Sequence, residues 1–319
     1  MNPRNVAILV FDGIQILDVT GPAAVFSAAN DAAGRAVYRL HLLSEHGGPI
    51  TSNGAVTIAT MPLASLDPGA VDTLLFSGGE DDAVLQASLA PVMQDWLLRA
   101  AQQARRVGSI CSGALALARL GLLDGKRATT HWSACEKMAT LFPGVEVAPD
   151  AVYVEDGRLW TSAGVTTGID MTLQMVADDV GESIANVIAK RLVIATRRPG
   201  YQAQVSAVIA AHEKADPDFS ALLVWVQARL SHQVDVAAMA AQVAMSPRTF
   251  HRKFTARFKQ TPARFVETLR LEHAQSLLRS GLTMKFIARQ CGYNDFSQFA
   301  KAYQRRFGVS PALFRQAMA

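Results

Sequence analysis

Cys111 stands at a junction that can do chemistry. Residues 106–110 (RVGSI) read as a short strand that runs straight into Cys111-Ser112-Gly113, and an apolar helix follows. A strand that turns sharply into a helix lifts the residue at the turn above the C-terminal edge of the sheet. There the backbone N–H groups and the helix dipole favour anions and lower the pKa of a thiol. Gly78-Gly79 closes another predicted strand and offers further N–H donors of the oxyanion-hole kind. Asp18, in GIQILDVTGP, follows the first predicted strand; His131, with Trp132 beside it, lies 20 residues beyond Cys111. Asp18, Gly79, Cys111 and His131 all fall at or after predicted strand ends, where an open α/β sheet builds its sites.

Three chemistries suit this set: binding of a small molecule, nucleophilic turnover through Cys111, and oxidation of a low-pKa thiol. Blander readings stand beside them. Cys111 could be a small buried hydrophobe, His131 a satisfied structural histidine, Asp18 a helix cap, and Trp132 core rather than pocket wall. The expected ligand pocket comprises Asp18, Gly78, Gly79, Cys111, Ser112, His131 and Trp132, with no catalytic residue assigned. Glu80-Asp81-Asp82 reads as a solvated loop or a helix N-terminal charge cluster. The three cysteines, Cys111, Cys135 and Cys291, are odd in number and widely spaced. That fits a reducing compartment and implies neither a metal site nor a cofactor.

A second constellation lies near the C-terminus. TPARF (261–265) recurs as SPALF (310–314), 49 residues on. At the same offset Phe250, Phe254 and Phe258 fall on Phe299, Tyr303 and Phe307, each set on one helix face at i, i+4, i+8. Ala240 and Ala244 fall on Ala288 and Gly292 at offset 48, so the second turn carries one extra residue. Each unit reads as helix, tight turn, helix. Ser246 caps one second helix ahead of Pro247, and the other runs over 295–307. With the aromatic faces inward, Arg248, Thr249, His251, Arg252 and Thr255 face outward in the first unit. Ser297, Gln298, Lys301, Gln304 and Arg305 do so in the second. The expected DNA contacts among these are Arg248, Thr249, His251, Arg252, Ser297, Gln298, Lys301 and Arg305, free to hold phosphates or read base edges. A helix over 262–279, closed by Gly281, would span about 27 Å. It would hold the two probe helices about one turn of duplex apart.

The elements that position these residues follow from periodicity. Strands are expected at 5–11, 38–44, 71–76, 106–110, 145–147, 151–155 and 158–162, the last two turning at Asp156-Gly157. Helices are expected at 20–30, 90–104, 112–123, 165–179 and 182–195. Such alternation implies right-handed βαβ units and a mostly parallel sheet. The expected fold is thus α/β, a flavodoxin-like parallel sheet with helices on both faces, followed by an all-α domain with two helix-turn-helix motifs. The division is 1–195 for sensing and dimerisation, 196–216 for a linker carrying one helix, and 217–319 for DNA binding.

Charge agrees with this division. The net charge of +4 is the sum of −6 over residues 1–216 and +10 over residues 217–319, the footprint of a polyanion-binding tail on an acidic body. Half the residues are hydrophobic and 18% are charged, which excludes a disordered chain. The first residues suit no signal peptide and no apolar run suits a membrane span, so a cytoplasmic protein without membrane contact is expected.

The tail, over about 219–316, closely resembles the DNA-binding domains of the AraC/XylS family, above all in IARQCGYNDFSQFAKAYQRRFGVSPALFR. The body, over about 6–193, resembles the PfpI-like, glutamine-amidotransferase-like superfamily. Cys111 and His131 match its nucleophile and a partner histidine. QILDVTGP and Cys111-Ser112 are similar to the isonitrile hydratase branch. Protease-like members place His directly after the nucleophile, where this chain has Ser112. A PfpI-like body with an AraC-type tail is the layout of GlxA-type regulators. That resemblance implies a sequence-specific transcription regulator of double-stranded DNA, controlled by a small effector such as an amino acid or another nitrogenous metabolite. It further implies a homodimer, with RNA polymerase as a conceivable partner. The alternative is a cysteine-dependent hydratase or amidohydrolase with a DNA-binding tail.

Overall fold

The computed structural model describes residues 2–194, 197–206, 211, 215–278 and 281–316. The chain divides into two compact units, Met1–Gln204 and Val205–Ala319.

The first unit is built on β1 (Arg4–Leu9), β2 (Tyr38–Ser44), β3 (His46–Thr51), β4 (Thr57–Pro62), β5 (Thr73–Phe76), β6 (Arg106–Ile110), β9 (Tyr153–Asp156) and β10 (Leu159–Ser162). They form one sheet in the order β3-β4-β2-β1-β5-β6-β10-β9, parallel except for the edge strands β3 and β9. A separate two-stranded ladder pairs β7 (Arg127–Ala128) with β8 (Glu146–Val147). β1 from Val6 onward, β5 and β6 are buried along their length, as strands covered on both faces must be. The order of strand addition reverses between β1 and β5: β2 lies on one side of β1, and β5 and β6 lie on the other. Right-handed crossovers then place helices on opposite faces, and the loops after β1 and β5 open a crevice at the C-terminal edge. One helical layer holds α1 (Ile16–Ala33), α6 (Thr166–Val180) and α7 (Glu182–Arg191). The other holds α2 (Asp81–Leu89), α3 (Pro91–Gln103) and α4 (Gly113–Arg119). A further helix, α5 (Cys135–Leu141), follows His131.

β2 and β6 fall where periodicity places them, and the fold class agrees with the flavodoxin-like expectation. The hairpin β3–β4 was not expected. Its segment, HGGPITSNGAVTIATMP, is rich in turn residues, and as an edge hairpin it is mostly exposed and shows no apolar run. The acidic triplet at 80–82 opens α2, with Asp81 and Asp82 in the first turn. The apolar helix after Cys111 ends as α4 at Arg119 rather than at 123, because Gly121 and Gly125 turn the chain with positive φ.

The expected linker, 196–216, is divided. Its first part belongs to the sheet unit, where Ala203 bridges Ala151 and the Val152 N–H donates to the Gly200 carbonyl at 2.9 Å. The helix expected within it lies largely outside the described residues. The second unit is helical throughout its described residues: α8 (Pro217–Gln227), α9 (Val236–Gln242), α10 (Pro247–Phe258), α11 (Pro262–Leu277), α12 (Met284–Gln290), α13 (Phe296–Phe307) and α14 (Pro311–Gln316). Each start is chemically marked. Asp216, Asp235, Ser246, Thr261, Thr283 and Asp295 each accept a first-turn N–H, and Pro stands at the start of α8, α10 and α11.

At the sheet edge away from the crevice, Asp179 is buried among Arg105, Arg106 and Tyr38. It accepts from Arg106 Nη1 at 2.9 Å and from Tyr38 Oη at 2.8 Å. Burial pushes its carboxyl up, but Arg105, Tyr38 and Arg106 outweigh that and hold it below the usual range. The cluster ties α6 to β2 and β6. Asp179→Asn leaves the nearly buried Arg106 with Asp178 at 3.4 Å and the Met175 carbonyl at 3.2 Å, and is expected to cost about 2–3 kcal/mol, read from urea unfolding at pH 7. The penalty should shrink as pH falls below the ordinary carboxylate range and wild-type Asp179 itself takes up a proton.

Candidate functional site

Four segments meet at the crevice. Cys111 ends β6 with φ +57, a left-handed conformation uncommon for a residue with a side chain, and its N–H donates to the Ser162 carbonyl at 3.0 Å. That is the sharp strand-to-helix elbow expected from sequence. Two glycines make room for the side chain. A Cβ added to Gly78 would lie 2.6 Å from Cys111 Cβ and 2.7 Å from Asp18 Oδ2, and one added to Gly164 would overlap the Cys111 side chain outright. Neither position admits another residue without moving the thiol.

Asp18, from the first turn of α1, is fully buried beneath this cradle. Its Oδ1 accepts the Val165 N–H at 2.7 Å. Val165 itself holds φ +52, a genuine outlier for a β-branched residue, with a strain of order 1–3 kcal/mol. The Asp18 bond is the partner that over-determines it. Burial raises the Asp18 carboxyl from its ordinary 3.8 to about 6, against the pull of the Val165 N–H, the Cys111 thiol and the Gly78 backbone. Cys111 is 8% exposed, and burial together with the neighbouring Asp18 charge pushes its thiol up to about 12. The expected low-pKa thiol is therefore corrected: the adjacent carboxyl and the loss of water outweigh the helix N-terminus.

The expected oxyanion donors are also spoken for. The Ser112 hydroxyl accepts the Gly79 N–H at 3.1 Å and donates to the Gly79 carbonyl at 2.9 Å. Gly79 is further pressed against the Gly13 carbonyl, and an isolated bridge joins it to Ile14. His131 Nδ1 bonds the Ser133 hydroxyl at 2.7 Å. Burial lowers its pKa. Trp132 is 55% exposed, so it is neither core nor the wall of a closed pocket. The structure thus gathers Asp18, Gly78, Gly79, Cys111 and Ser112 tightly.

Sequence reasoning missed three contributors. Gly164-Val165 closes the cradle. Thr130 donates its hydroxyl to the Cys111 carbonyl at 2.9 Å. The third is the segment after α7. Arg198 grips buried Asp170 through its N–H and Nε at 2.7 and 2.8 Å and reaches the Thr166 hydroxyl at 2.7 Å. Gln204 donates to the Thr130 carbonyl at 2.9 Å, the Thr129 hydroxyl at 3.1 Å and the Pro149 carbonyl at 3.0 Å. Residues 197–204 thus form a strap anchored beside both Val165 and Thr130. Nothing local in their sequence marks this.

In the second unit the aromatic faces are buried as expected, at Phe250, Phe254 and Phe258 in α10 and at Phe299, Tyr303 and Phe307 in α13. Arg248, His251, Arg252, Ser297, Gln298 and Lys301 are exposed. Thr249 is partly buried, with its hydroxyl bonded by Ser246. Arg305 is exposed but engaged with Glu267 of α11 at 2.8 Å. α11 runs 16 residues, about 24 Å at its usual rise; residue 279, the expected end, lies outside the described residues.

The buried carboxyl makes a test. A folded-state pKa above the unfolded one disfavours the fold only where the group ionises. The cost is absent below pH 3.8, grows as pH rises toward about 6, and is constant beyond. Asp18→Asn keeps an acceptor for Val165 and loses the charge. It should match wild type at pH 4 and exceed it by up to about 3 kcal/mol at pH 7 in urea unfolding. A difference that does not vary with pH would remove the burial argument.

Comparison with known proteins agrees with both halves. The sequence pattern of the DJ-1/PfpI family matches residues 4–178, more than half the chain, and that of a helix-turn-helix domain matches residues 239–317. The HTH-type transcriptional regulator GbdR of Pseudomonas aeruginosa (strain UCBPP-PA14) is 28% identical over 317 residues, covering 99% of this chain and 85% of that protein. The HTH-type transcriptional regulator GlxA of Rhizobium meliloti is 26% identical over 319 residues, covering 99% and 96%. An isonitrile hydratase of Pseudomonas putida is 33% identical over 199 residues, covering 61% of this chain and 80% of the enzyme. Among solved structures, a ThiJ/PfpI family protein from Pseudomonas syringae superposes with a TM-score of 0.55 at 28% identity, over 62% of this chain and 78% of that one. Drosophila melanogaster DJ-1beta shares the fold, with a TM-score of 0.54 at 20% identity, over 61% and 100%. With its glycine-cradled cysteine elbow on a parallel sheet, this chain belongs to the DJ-1/PfpI family and carries an AraC-type helix-turn-helix domain behind it.

Proposed function

We propose that this chain is a cytoplasmic transcription regulator whose DJ-1/PfpI unit binds a small effector and whose tail binds double-stranded DNA. The observation that carries the reading is the pair of exposed, polar and basic helix faces, on α10 and α13, joined by one uninterrupted rod in the tail that holds the chain's excess positive charge. Regulators of the same layout match nearly the whole chain. No described helix is long and apolar enough to cross a membrane.

The effector reading rests on the Asp18–Cys111 cradle. A carboxyl with pKa near 6 beside a protonated thiol suits a small nitrogenous donor such as an amino acid. A ligand that pulls on Val165 or Thr130 would act on the strap at Arg198 or Gln204, from which the chain continues into the tail. We further propose that the chain acts as a homodimer, with RNA polymerase as a partner. Sensing without turnover is favoured over hydration because Ser112 fills the Gly79 donor and the thiol is far from its thiolate form. His131, Trp132, Gly78 and Ser112 complete the proposed pocket, and Arg248, Thr249, His251, Arg252, Ser297, Gln298, Lys301 and Arg305 the proposed DNA contacts.

Two measurements test this. Arg252→Ala should weaken binding to a selected duplex by about 1–3 kcal/mol and leave the melting temperature unchanged. Unchanged affinity would take that residue out of the interface, and a wild-type chain with no duplex preference at any salt would defeat the reading. Cyclohexyl isocyanide incubated with the purified chain should yield no N-cyclohexylformamide. Formation of that hydration product, lost in Cys111→Ala, would establish the enzyme instead.

A further inference from the structure

The two helix-turn-helix turns close on the same backbone hydrogen bond and yet differ in the residue at their left-handed position. In the first, Met245 N–H donates to the Ala240 carbonyl at 3.0 Å; in the second, Tyr293 N–H donates to the Ala288 carbonyl at 2.9 Å. Ala244 and Gly292 occupy the same place, and both are left-handed, at φ +50 and +73. Conformation alone therefore does not demand glycine there, since the first turn carries an exposed alanine.

What demands it is close approach. A Cβ at Gly292 would stand 2.5 Å from the Leu230 carbonyl oxygen and 2.6 Å from Cζ and Nη2 of Arg270. Leu230 lies in the tail, in its first helix-turn-helix unit, between α8 and α9. Arg270 rises from α11 and donates Nε to the Leu230 carbonyl at 3.1 Å and Nη2 to the His232 carbonyl at 2.6 Å. Its guanidinium is thereby clamped on the first unit while its other face lies flush with the turn of the second. Within the tail, the two helix-turn-helix units are joined by this side contact as well as by the rod. A rod alone fixes separation; a contact on its flank also fixes how the two units bend and rotate about it.

Resting on the DNA-binding reading above, we infer that the Gly292–Arg270–Leu230 contact sets the offset between recognition helices α10 and α13, and with it the half-site spacing the chain selects. Gly292 and Arg270 are positioning residues that touch no base in this account.

The test is selection from a random duplex pool long enough for two half-sites about 10.5 base pairs apart, using the full chain. Wild type should enrich two half-motifs at one spacing. Gly292→Ala forces the seam open, and Arg270→Met releases it without crowding, so the second variant reads the effect if the first does not fold. Both should enrich the same half-motifs with the spacing shifted or spread by about one base pair or more. Both should bind the wild-type-selected duplex on the order of tenfold more weakly. Ala244→Gly, at the equivalent turn without a seam, should keep the wild-type spacing. Variants that retain wild-type spacing and affinity overturn the inference, as do variants that melt cooperatively but lose the half-motifs themselves. A wild-type chain that enriches nothing overturns the regulator reading along with it, so the two failures are told apart.

Discussion

The sheet unit turns on the contact of Cys111 with two glycines. Gly78 at the end of β5 and Gly164 after β10 press on the thiol so closely that neither can carry a Cβ. Everything around the site follows from that crowding. It seals Asp18 from water, it bends the chain at Val165 into a conformation such residues avoid, and the Asp18 carboxylate then supplies the bond that holds the bend. Burial raises the proton affinity of both groups, and the Asp18 charge raises that of the thiol further, so the thiol keeps its proton while the carboxyl titrates near 6. Such a site holds little thiolate near neutral pH.

The same kind of constraint recurs in the tail. Gly292 sits where another backbone and a guanidinium come too near for any side chain. Comparison with Ala244 separates the two usual reasons for a glycine, left-handed φ and close approach, because only the second differs between the turns. The aromatic stripes contribute the bulk of the packing. Phe254, Phe258 and Phe265 stack where α10 meets α11, and Tyr303 meets Phe314 where α13 meets α14. These contacts are non-directional. The polar clamps of Arg270 and of Arg305 on Glu267 supply direction.

Between the site and the tail lies the strap. Its residues look like a linker, with Arg197-Arg198-Pro199-Gly200 breaking every periodicity. Yet Arg198 and Gln204 bind groups one step removed from Asp18 and Cys111. A polar segment reads as solvated unless its partners are known, and those partners, Asp170, Thr166, Thr129 and Thr130, are distant in the chain. Contact of this kind leaves no local signature.

By itself the sequence determined the strand-to-helix elbow at Cys111, the alternation that makes a parallel sheet, the duplicated aromatic faces and the caps that start the tail helices. All of these are local: period, turn chemistry and capping act within a few residues. Tertiary structure alone decided that the thiol is protonated, that Ser112 occupies the Gly79 donor, that the strap is anchored, and that Gly292 must be glycine. Each depends on how much water is excluded, or on the approach of a group far off in the chain, and neither is encoded in residue type or spacing.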